Sequence, residues 1–227
     1  MSYANGPKIV TDGLVLCLDA ANRKSYPGTG TAWNDISSNG YIATIANGPV
    51  FTEDYKGAIN CDPTNDFVYL NNTLNLAKIT ISVIYKKDSD SGVSDHIIYN
   101  KENSWELRDL DRNLSWAVAT NNQAWFWYDT GYNVTLNQIL KVDLTYDGNY
   151  VRTWINGSLY HTYTYPSGGT LLQVSSYPKL NSRHTTQTTW QSGGDHTYYN
   201  FSVYNRALSA DEIRQNYNAL KGRYGLT

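Results

Sequence analysis

The stretch over residues 139–165 constrains the fold more than any other part of the sequence. Apolar side chains alternate with polar ones in its first part, at Leu140, Val142, Leu144 and Tyr146. This period-two pattern indicates a strand with one buried and one wet face. Asp147-Gly148 and Asn156-Gly157 follow, and such pairs are strong signals for tight hairpin turns. We therefore predict three consecutive antiparallel strands, over residues 140–146, 150–155 and 158–165.

Short strands bounded by turn residues recur along the rest of the chain. They are predicted over residues 14–19, 41–46, 58–61, 67–70, 79–86, 96–100, 105–110, 114–120, 124–128, 180–183 and 197–204. Many short strands with regular turns are typical of a β-sandwich or barrel. No linker, low-complexity tract or internal repeat interrupts them, so we expect one all-β domain over residues 1–227 with a core over residues 8–222.

One helix is predicted near the C-terminal end of the sequence. Ser209 and Glu212 have the spacing of a capping box, in which each side chain bonds the backbone N–H of the other residue. Gly222 is expected to end the helix. Ile213, Tyr217 and Leu220 form an i, i+4, i+7 apolar stripe, which we expect to pack the helix against a sheet.

The charge composition excludes several classes of partner. The 227 residues carry 18 Lys and Arg against 20 Asp and Glu, a formal net charge of −2. Such a chain is a poor binder of nucleic acid, which is held through phosphate neutralisation by basic residues. No apolar run approaches the roughly 20 residues that span a bilayer, and residues 1–8 lack the basic region of a secretory signal. We expect neither nucleic acid nor membrane as a partner.

Tyrosine and tryptophan are in surplus, with 20 Tyr and 7 Trp against 4 Phe. Alternation puts Trp125 and Trp127 on one face of their strand. Phe126 and Tyr128 fall on the other face, and we expect one pair in the core and the other exposed. Exposed aromatic rings stack on sugars, but they are also enriched at subunit interfaces. The candidates for glycan binding or for an interface are Trp125, Trp127, Trp190, Arg183 and His184.

The cysteines and histidines give no metal or nucleophile motif. Cys17 and Cys61 fall in predicted strands, where two buried thiols are the simplest expectation and a disulfide between them stays open. The histidines are scattered without the spacing of a zinc site. Each is expected to be a half-exposed strand or loop residue: His96, His161, His184 and His196.

Four segments of the sequence carry a family resemblance. The most specific covers residues 203–213, Val-Tyr-Asn-Arg-Ala-Leu-Ser-Ala-Asp-Glu-Ile. Residues 33–40 (Trp-Asn-Asp-Ile-Ser-Ser-Asn-Gly), 57–62 and 154–157 precede it in matching order and spacing. Together they resemble the concanavalin A-like lectin/glucanase domains of the laminin G type. The resemblance implies a two-sheet antiparallel jelly-roll sandwich with a short C-terminal helix.

The opening of the chain, residues 6–10 and 22–28, resembles the version of this domain found in structural proteins of tailed bacteriophages. That resemblance implies a non-catalytic virion protein, such as a capsid decoration protein, head fibre or tail adhesin. It would be assembled in the host cytoplasm, would contact other virion proteins and could bind glycans. A homo-oligomer and a ligand-free cement protein stay open.

The alternative function is a glycoside hydrolase on the same fold. Retaining glucanases of the family that this chain resembles share a Glu-x-Asp-x-x-Glu strand motif, and the nearest approach here begins at Glu106. Alternation puts Glu106 on the same face as Arg108, which we expect to keep the carboxylate ionised. Asp109 and Asp111 fall on the opposite face or in the turn. The motif fails, and no catalytic residue is predicted.

Calcium is the one cofactor that the family resemblance suggests. Lectin-like domains often bind it through loop oxygens, and the turn at residues 62–66 clusters such ligands. The candidate ligands are Asp62, Asn65 and Asp66. Asp and Asn also favour turns without any metal, so ordinary turn chemistry is the competing interpretation.

Overall fold

Two antiparallel sheets pack face to face in the computed structural model, which describes residues 8–92, 95–165 and 167–226. Residues 1–7, on which the expected lack of a secretory signal and the start of the phage-like opening fall, lie outside the described residues. The strands are β1 (Leu14–Asp19), β2 (Ala32–Asn34), β3 (Ile42–Ala46), β4 (Val50–Thr52), β5 (Ala58–Cys61), β6 (Phe67–Leu70), β7 (Ile79–Lys87), β8 (Asp95–Lys101), β9 (Trp105–Leu110), β10 (Asn113–Thr120), β11 (Gln123–Asn133), β12 (Ile139–Tyr146), β13 (Tyr150–Ile155), β14 (Ser158–Thr164), β15 (Lys179–Leu180) and β16 (His196–Tyr204).

The back sheet has the strand order β14-β13-β12-β7-β16-β5-β4, and β1 pairs with the second half of β16. The front sheet has the order β11-β10-β9-β8-β15-β6-β3-β2. This arrangement confirms the predicted two-sheet antiparallel sandwich. The predicted meander is also confirmed, since β12 pairs with β13 and β13 pairs with β14.

The sequence missed the two shortest edge strands, β2 and β4, because three residues are too few to show a period. The predicted strand over residues 180–183 is also wrong in its bounds, since β15 covers only Lys179–Leu180. Beyond Leu180 the chain leaves the sheet, and Arg183 pairs its backbone N–H with the Gln191 carbonyl instead. Residues 183–191 thereby form a loop that follows β15.

Aliphatic side chains fill much of the space between the sheets, together with many aromatic ones. Fully buried examples are Trp33, Trp105, Trp116, Tyr85, Tyr99, Tyr146 and Tyr198. Cys17 and Cys61 are both buried and both free, so they do not pair. Much of the tyrosine surplus therefore serves the core of the sandwich.

Helix α1 (Ala210–Tyr224) packs on the outer face of the back sheet. The prediction that Gly222 ends it was wrong, because the helix continues for another half turn and is capped by Gly225 at φ 61. Tyr224 and Leu226 pack against the Ala58 side chain and its buried neighbours, which favours the longer helix. No helix among the described residues has the length and apolar character needed to cross a membrane.

The capping box of α1 provides a pH-dependent test of the fold. Ser209 Oγ accepts from the Glu212 N–H, Glu212 Oε2 accepts from the Ser209 N–H, and Arg206 pairs with the same carboxylate. The Arg206 contact lowers the pKa of Glu212 from 4.5 to about 2. The ionised carboxylate therefore stabilises the fold above pH 4.5, and the contribution is lost as the pH falls toward 2.

We expect Glu212→Gln to lower the free energy of unfolding by about 1 kcal/mol at pH 7. The difference from the wild type should shrink between pH 5 and pH 3, as measured by urea unfolding. Asp211→Asn is the matched control, since the ion pair of Asp211 in the described part of the chain is with exposed Arg214. A Glu212→Gln deficit that is unchanged at pH 3 would contradict this account.

Candidate functional site

The outer face of the front sheet carries a polar and aromatic patch across β8 to β11. The register sets Trp127 of β11 beside Ala117 of β10, and Ala117 beside Glu106 of β9. Ala117 is fully buried, so the larger neighbours cover it. On the next row Arg108 lies beside Ser115. Small residues on the intervening strand therefore let the tryptophan, the carboxylate and the guanidinium groups approach one another.

An ion-pair chain runs through this patch. The Arg183 guanidinium donates to both Glu106 oxygens, with Nε 3.0 Å from Oε2, and Nη1 donates to Asp95 Oδ2 at 3.0 Å. Arg108 Nη1 donates to the other Asp95 oxygen at 3.0 Å. Asn100 Nδ2 completes the set by donating to Glu106. Two guanidinium groups and two carboxylates therefore form one fixed network.

Trp127 lies against this network. The Arg108 Cζ is 3.5 Å from the centre of its ring, and the Arg183 Cζ is 5.4 Å away. Trp125 stands nearly at right angles to Trp127, with ring centres 5.8 Å apart. Cations over an aromatic face are attracted by its quadrupole. The two arginines therefore hold the Trp127 ring in one orientation while it stays partly exposed. We call Trp127, Trp125, Arg108, Arg183, Glu106 and Asp95 the Trp127 patch.

Burial dominates the electrostatics of Glu106. Its side chain is fully buried, and desolvation raises its pKa from 4.5 to about 7, although Arg183 acts in the opposite direction. The prediction that Arg108 would keep Glu106 ionised was wrong. Arg108 does share the face with Glu106, but its guanidinium pairs with Asp95 instead. The partner of Glu106 is Arg183, which arrives from the loop after β15.

The structure brings together three of the five predicted binding residues, Trp125, Trp127 and Arg183. Trp190 lies beside Gly193, whose lack of a side chain leaves room for the indole nitrogen. His184 accepts from the Thr186 N–H at 3.0 Å within its own loop. Neither makes an aromatic or cation–π contact with the Trp127 patch in the described part of the chain.

The predicted division of the β11 aromatic residues into a core pair and an exposed pair is only half right. Tyr128 stacks on Trp116 and contacts Tyr163 in the core. Phe126, on the same face of the strand, is 45% exposed because β11 is an edge strand. Trp125 and Trp127 are partly exposed on the other face.

In the turn at residues 62–66, the predicted calcium ligands accept backbone hydrogen bonds. Asp66 Oδ2 accepts from the Asp62 N–H at 3.1 Å, and Asp62 Oδ1 accepts from the Thr64 N–H at 2.8 Å. Asn181 Nδ2 donates to the Asp62 and Asp66 carbonyls, and the Asn65 carbonyl accepts from Asn47. These donors occupy one carboxylate oxygen of each aspartate, as in an ordinary hydrogen-bonded turn, which is the competing interpretation. Calcium here stays a prediction.

A second polar group lies between the two sheets, where the sequence indicated none. The Lys87 ammonium contacts His96 Nδ1 and donates to Asp109 Oδ1, and His196 Nε2 lies 3.2 Å from Asp109 Oδ2. We call Lys87, His96, Asp109 and His196 the histidine cluster. All four side chains are buried, so the expectation of half-exposed histidines was wrong for His96 and His196. Alternation correctly put Asp109 on the face opposite Glu106.

The pKa directions in this cluster follow from its charges. Although burial alone would raise it, the contacts with His196 and His96 and the Lys87 charge hold the pKa of Asp109 well below its usual range. Burial lowers the pKa of His196. The cluster is therefore built around an ionised carboxylate.

Comparison with known proteins identifies the family. The profile described as the concanavalin A-like lectin/glucanases superfamily matches residues 62–214, about two thirds of the sequence. The chain belongs to this superfamily. Its β9 and β11 strands, which carry the Trp127 patch, lie within the matched region. No curated protein matches the sequence significantly.

Solved structures share the concanavalin A-like fold at low identity. The binding domain of botulinum neurotoxin serotype D is 16% identical with a TM-score of 0.68, over 92% of this chain and 52% of that one. The binding domain of Paraclostridial Mosquitocidal Protein 1 is 15% identical with a TM-score of 0.70, over 91% and 52%. The botulinum neurotoxin serotype D ligand binding domain in complex with N-acetylneuraminic acid is 16% identical with a TM-score of 0.67, over 92% and 51%. The chain thus spans about half the length of these structures.

Proposed function

We propose that the protein is a non-catalytic binding module that recognises glycans through the Trp127 patch. The observation that carries the proposal is Trp127 itself, a partly exposed ring on an outer sheet face, fixed by Arg108 at 3.5 Å and flanked by Trp125. A rigid aromatic surface binds a sugar face at little entropic cost. The surrounding guanidinium and carboxylate groups supply donors and acceptors for hydroxyl groups.

Two further observations support a binding role over catalysis. The similar structures are binding domains, and one of them was solved with N-acetylneuraminic acid. In this chain, Glu106, which begins the nearest approach to the glucanase motif, is fully buried and held in a bidentate pair by Arg183. A carboxylate in that position is not free to approach a glycosidic bond.

The test is a binding measurement with Trp127→Ala. We expect the wild type to bind members of a glycan array that includes N-acetylneuraminic acid-terminated and neutral sugars. We expect Trp127→Ala to lower the affinity for the best of them by about tenfold or more, because a central aromatic contact carries much of the binding energy. Calorimetry with that glycan measures the change.

Phe126→Ala is the matched control. Phe126 is the adjacent aromatic residue on the same strand, is 45% exposed and lies on the opposite face. Phe126→Ala should leave the glycan affinity unchanged. The melting temperatures of both variants should lie within a few degrees of that of the wild type. Glycan binding by Trp127→Ala at wild-type strength would overturn the assignment of the site.

We further propose that the module belongs to a bacteriophage particle, as the resemblance of residues 22–28 to phage structural proteins suggests. Mass spectrometry of purified particles should then detect the chain alongside the other virion proteins. Its absence from particles would refute this context without touching the glycan proposal. Tight capsid binding together with silence on the glycan array would favour a ligand-free cement protein.

A glycoside hydrolase is the second candidate, because one observation favours it. Burial raises the pKa of Glu106 to about 7, and Glu106 and Asp95 bind the same Arg183 guanidinium group. A carboxyl group with a raised pKa near a second carboxyl group is typical of glycosidases. Release of reducing sugar from a polysaccharide panel, abolished by Glu106→Gln, would support this function. Activity that survives Glu106→Gln would exclude Glu106 as its acid.

A further inference from the structure

The hydrogen bonds around His196 determine which of its nitrogens carries hydrogen. Asn181 Nδ2 donates to two backbone carbonyls, at 3.2 Å and 3.0 Å, which fixes Asn181 Oδ1 as an acceptor. That oxygen also accepts from the Gly194 N–H at 3.1 Å. His196 Nδ1 lies 3.0 Å from it and must therefore be the donor. In a neutral imidazole the lone pair is then on Nε2.

This tautomer points the Nε2 lone pair at Asp109 Oδ2, only 3.2 Å away. Two buried acceptors at this distance repel each other unless a cation lies between them. Lys87 does not fill this position, because its contacts are with His96 Nδ1 and the other Asp109 oxygen. The position calls for either a proton or a metal ion.

The spacing of the donor atoms fits a metal ion. Ligands about 2.0–2.1 Å from zinc at tetrahedral angles lie about 3.3 Å apart. The observed separations are 3.2 Å from His196 Nε2 to Asp109 Oδ2 and 3.4 Å from His96 Nδ1 to Asp109 Oδ1. The potential ligand atoms of all three residues fall within 4.8 Å of one another. The Asn181 contact is also the outer-shell hydrogen bond that metal-ligating histidines usually make.

A cavity of about 220 Å³ gives access to the cluster and is lined by Lys87, Asp90, His96, Asp111 and Arg112. The Lys87 ammonium lies 3.7 Å from Asp90 Oδ1, on the side of this cavity. Asp90 therefore offers the lysine an alternative partner if it leaves Asp109. The cavity thus gives an ion a route to the cluster, and Asp90 can pair with the Lys87 ammonium once that ammonium has left Asp109.

We propose that His96, Asp109 and His196 form a binding site for a divalent transition metal of the zinc type, in which the Lys87 ammonium and the metal compete for Asp109. Two imidazoles and one carboxylate suit zinc or cobalt better than calcium. Three protein ligands leave a fourth position open toward the cavity, which water would fill. The site lies inside the sandwich and uses none of the predicted calcium ligands, although Asn181 joins it to the turn at residues 62–66.

The experiment uses tag-free protein that has been treated with chelator and dialysed. Cobalt(II) is added as a spectroscopic probe, and zinc is titrated in competition. We expect the visible absorption of tetrahedral cobalt at one equivalent per chain and its loss on adding zinc. His184→Ala, which removes a histidine outside the cluster, should behave as the wild type.

Lys87→Met tests the competition directly. Removing the ammonium should tighten cobalt and zinc binding by about tenfold or more, and zinc should raise the melting temperature of this variant more than that of the wild type. His196→Ala should abolish the cobalt band if it folds. The proposal is wrong if neither the wild type nor Lys87→Met gives the cobalt band or one-to-one zinc binding. In that case only a proton lies between His196 Nε2 and Asp109 Oδ2.

Discussion

Asp109→Asn is expected to lower the free energy of unfolding by about 3–5 kcal/mol, the largest single effect that we predict. The change keeps the shape of the side chain but removes the charge that faces the Lys87 ammonium between the sheets. Both side chains are fully buried, so water cannot compensate for the loss. Urea unfolding at pH 7 in the presence of chelator measures the difference.

Asp90→Asn is the matched control for this prediction. Asp90 also faces Lys87, at 3.7 Å, but its side chain is 45% exposed, so its loss should change stability by less than about 1 kcal/mol. The double variant Lys87→Met with Asp109→Leu removes both charges and should recover most of the deficit. If Asp109→Asn is as stable as Asp90→Asn, the Lys87–Asp109 pair does not behave as an isolated buried charge pair, and this prediction is wrong.

Arg183→Met is expected to destabilise the protein by about 3 kcal/mol and to weaken glycan binding as well. It leaves the buried Glu106 carboxyl with Asn100 as its remaining strong donor and removes one cation from the Trp127 ring. The guanidinium is only 20% exposed, so the pair is mostly desolvated. Urea unfolding and calorimetry with the glycan measure the two effects.

The deficit of Arg183→Met should grow with pH. The pKa of Glu106 is already raised from 4.5 to about 7 in the wild type, and losing Arg183 raises it further. Between pH 4.5 and about 7, both folded proteins hold a proton that the unfolded chain has released, so both lose stability in parallel. Above about pH 7 the folded wild type releases this proton while the folded variant keeps it, so the deficit grows there. We expect a smaller deficit at pH 5 than at pH 8, and Glu106→Gln in the same chain should remove the pH dependence.

Arg112→Met separates this effect from the loss of any surface arginine. Arg112 pairs with Asp90 where both side chains are more than 40% exposed, and its loss should change stability by less than about 1 kcal/mol. Equal deficits for Arg183→Met and Arg112→Met would contradict the role assigned to burial.

Most of the fold could be predicted because its signals are local. The alternation and turn pairs of residues 139–165 sufficed for the β12–β14 meander, and the Ser209–Glu212 spacing sufficed for the start of α1. The helix end was wrong because it depends on where Tyr224 packs, which is a tertiary contact. Edge strands of three residues carry no period to detect.

The Trp127 patch could be predicted in part from the sequence, whereas the histidine cluster could not. Alternation is enough to set Glu106 and Arg108 on one face and Asp109 on the other. Arg183 lies in a loop 77 residues from Glu106 in the sequence, and no local pattern predicts their contact. The histidine cluster depends on a contact between the two sheets, with Asp109 and His196 separated by 87 residues. Scattered histidines in the sequence therefore gave no indication of a shared site.

The position of β16 in the back sheet has a consequence for how the chain reaches this structure. β16 is the last strand in the sequence, yet it lies between β7 on one side and β5 and β1 on the other. Cys17 and Ser202 become neighbours across 185 residues, and closing such a long loop is slow. Until β16 has been synthesised, β7 and β5 each keep an unpaired edge in the back sheet. Unpaired strand edges are prone to associate with other chains. We expect fragments that end before residue 196 to aggregate, and the full chain to acquire its protease resistance only after β16 has left the ribosome.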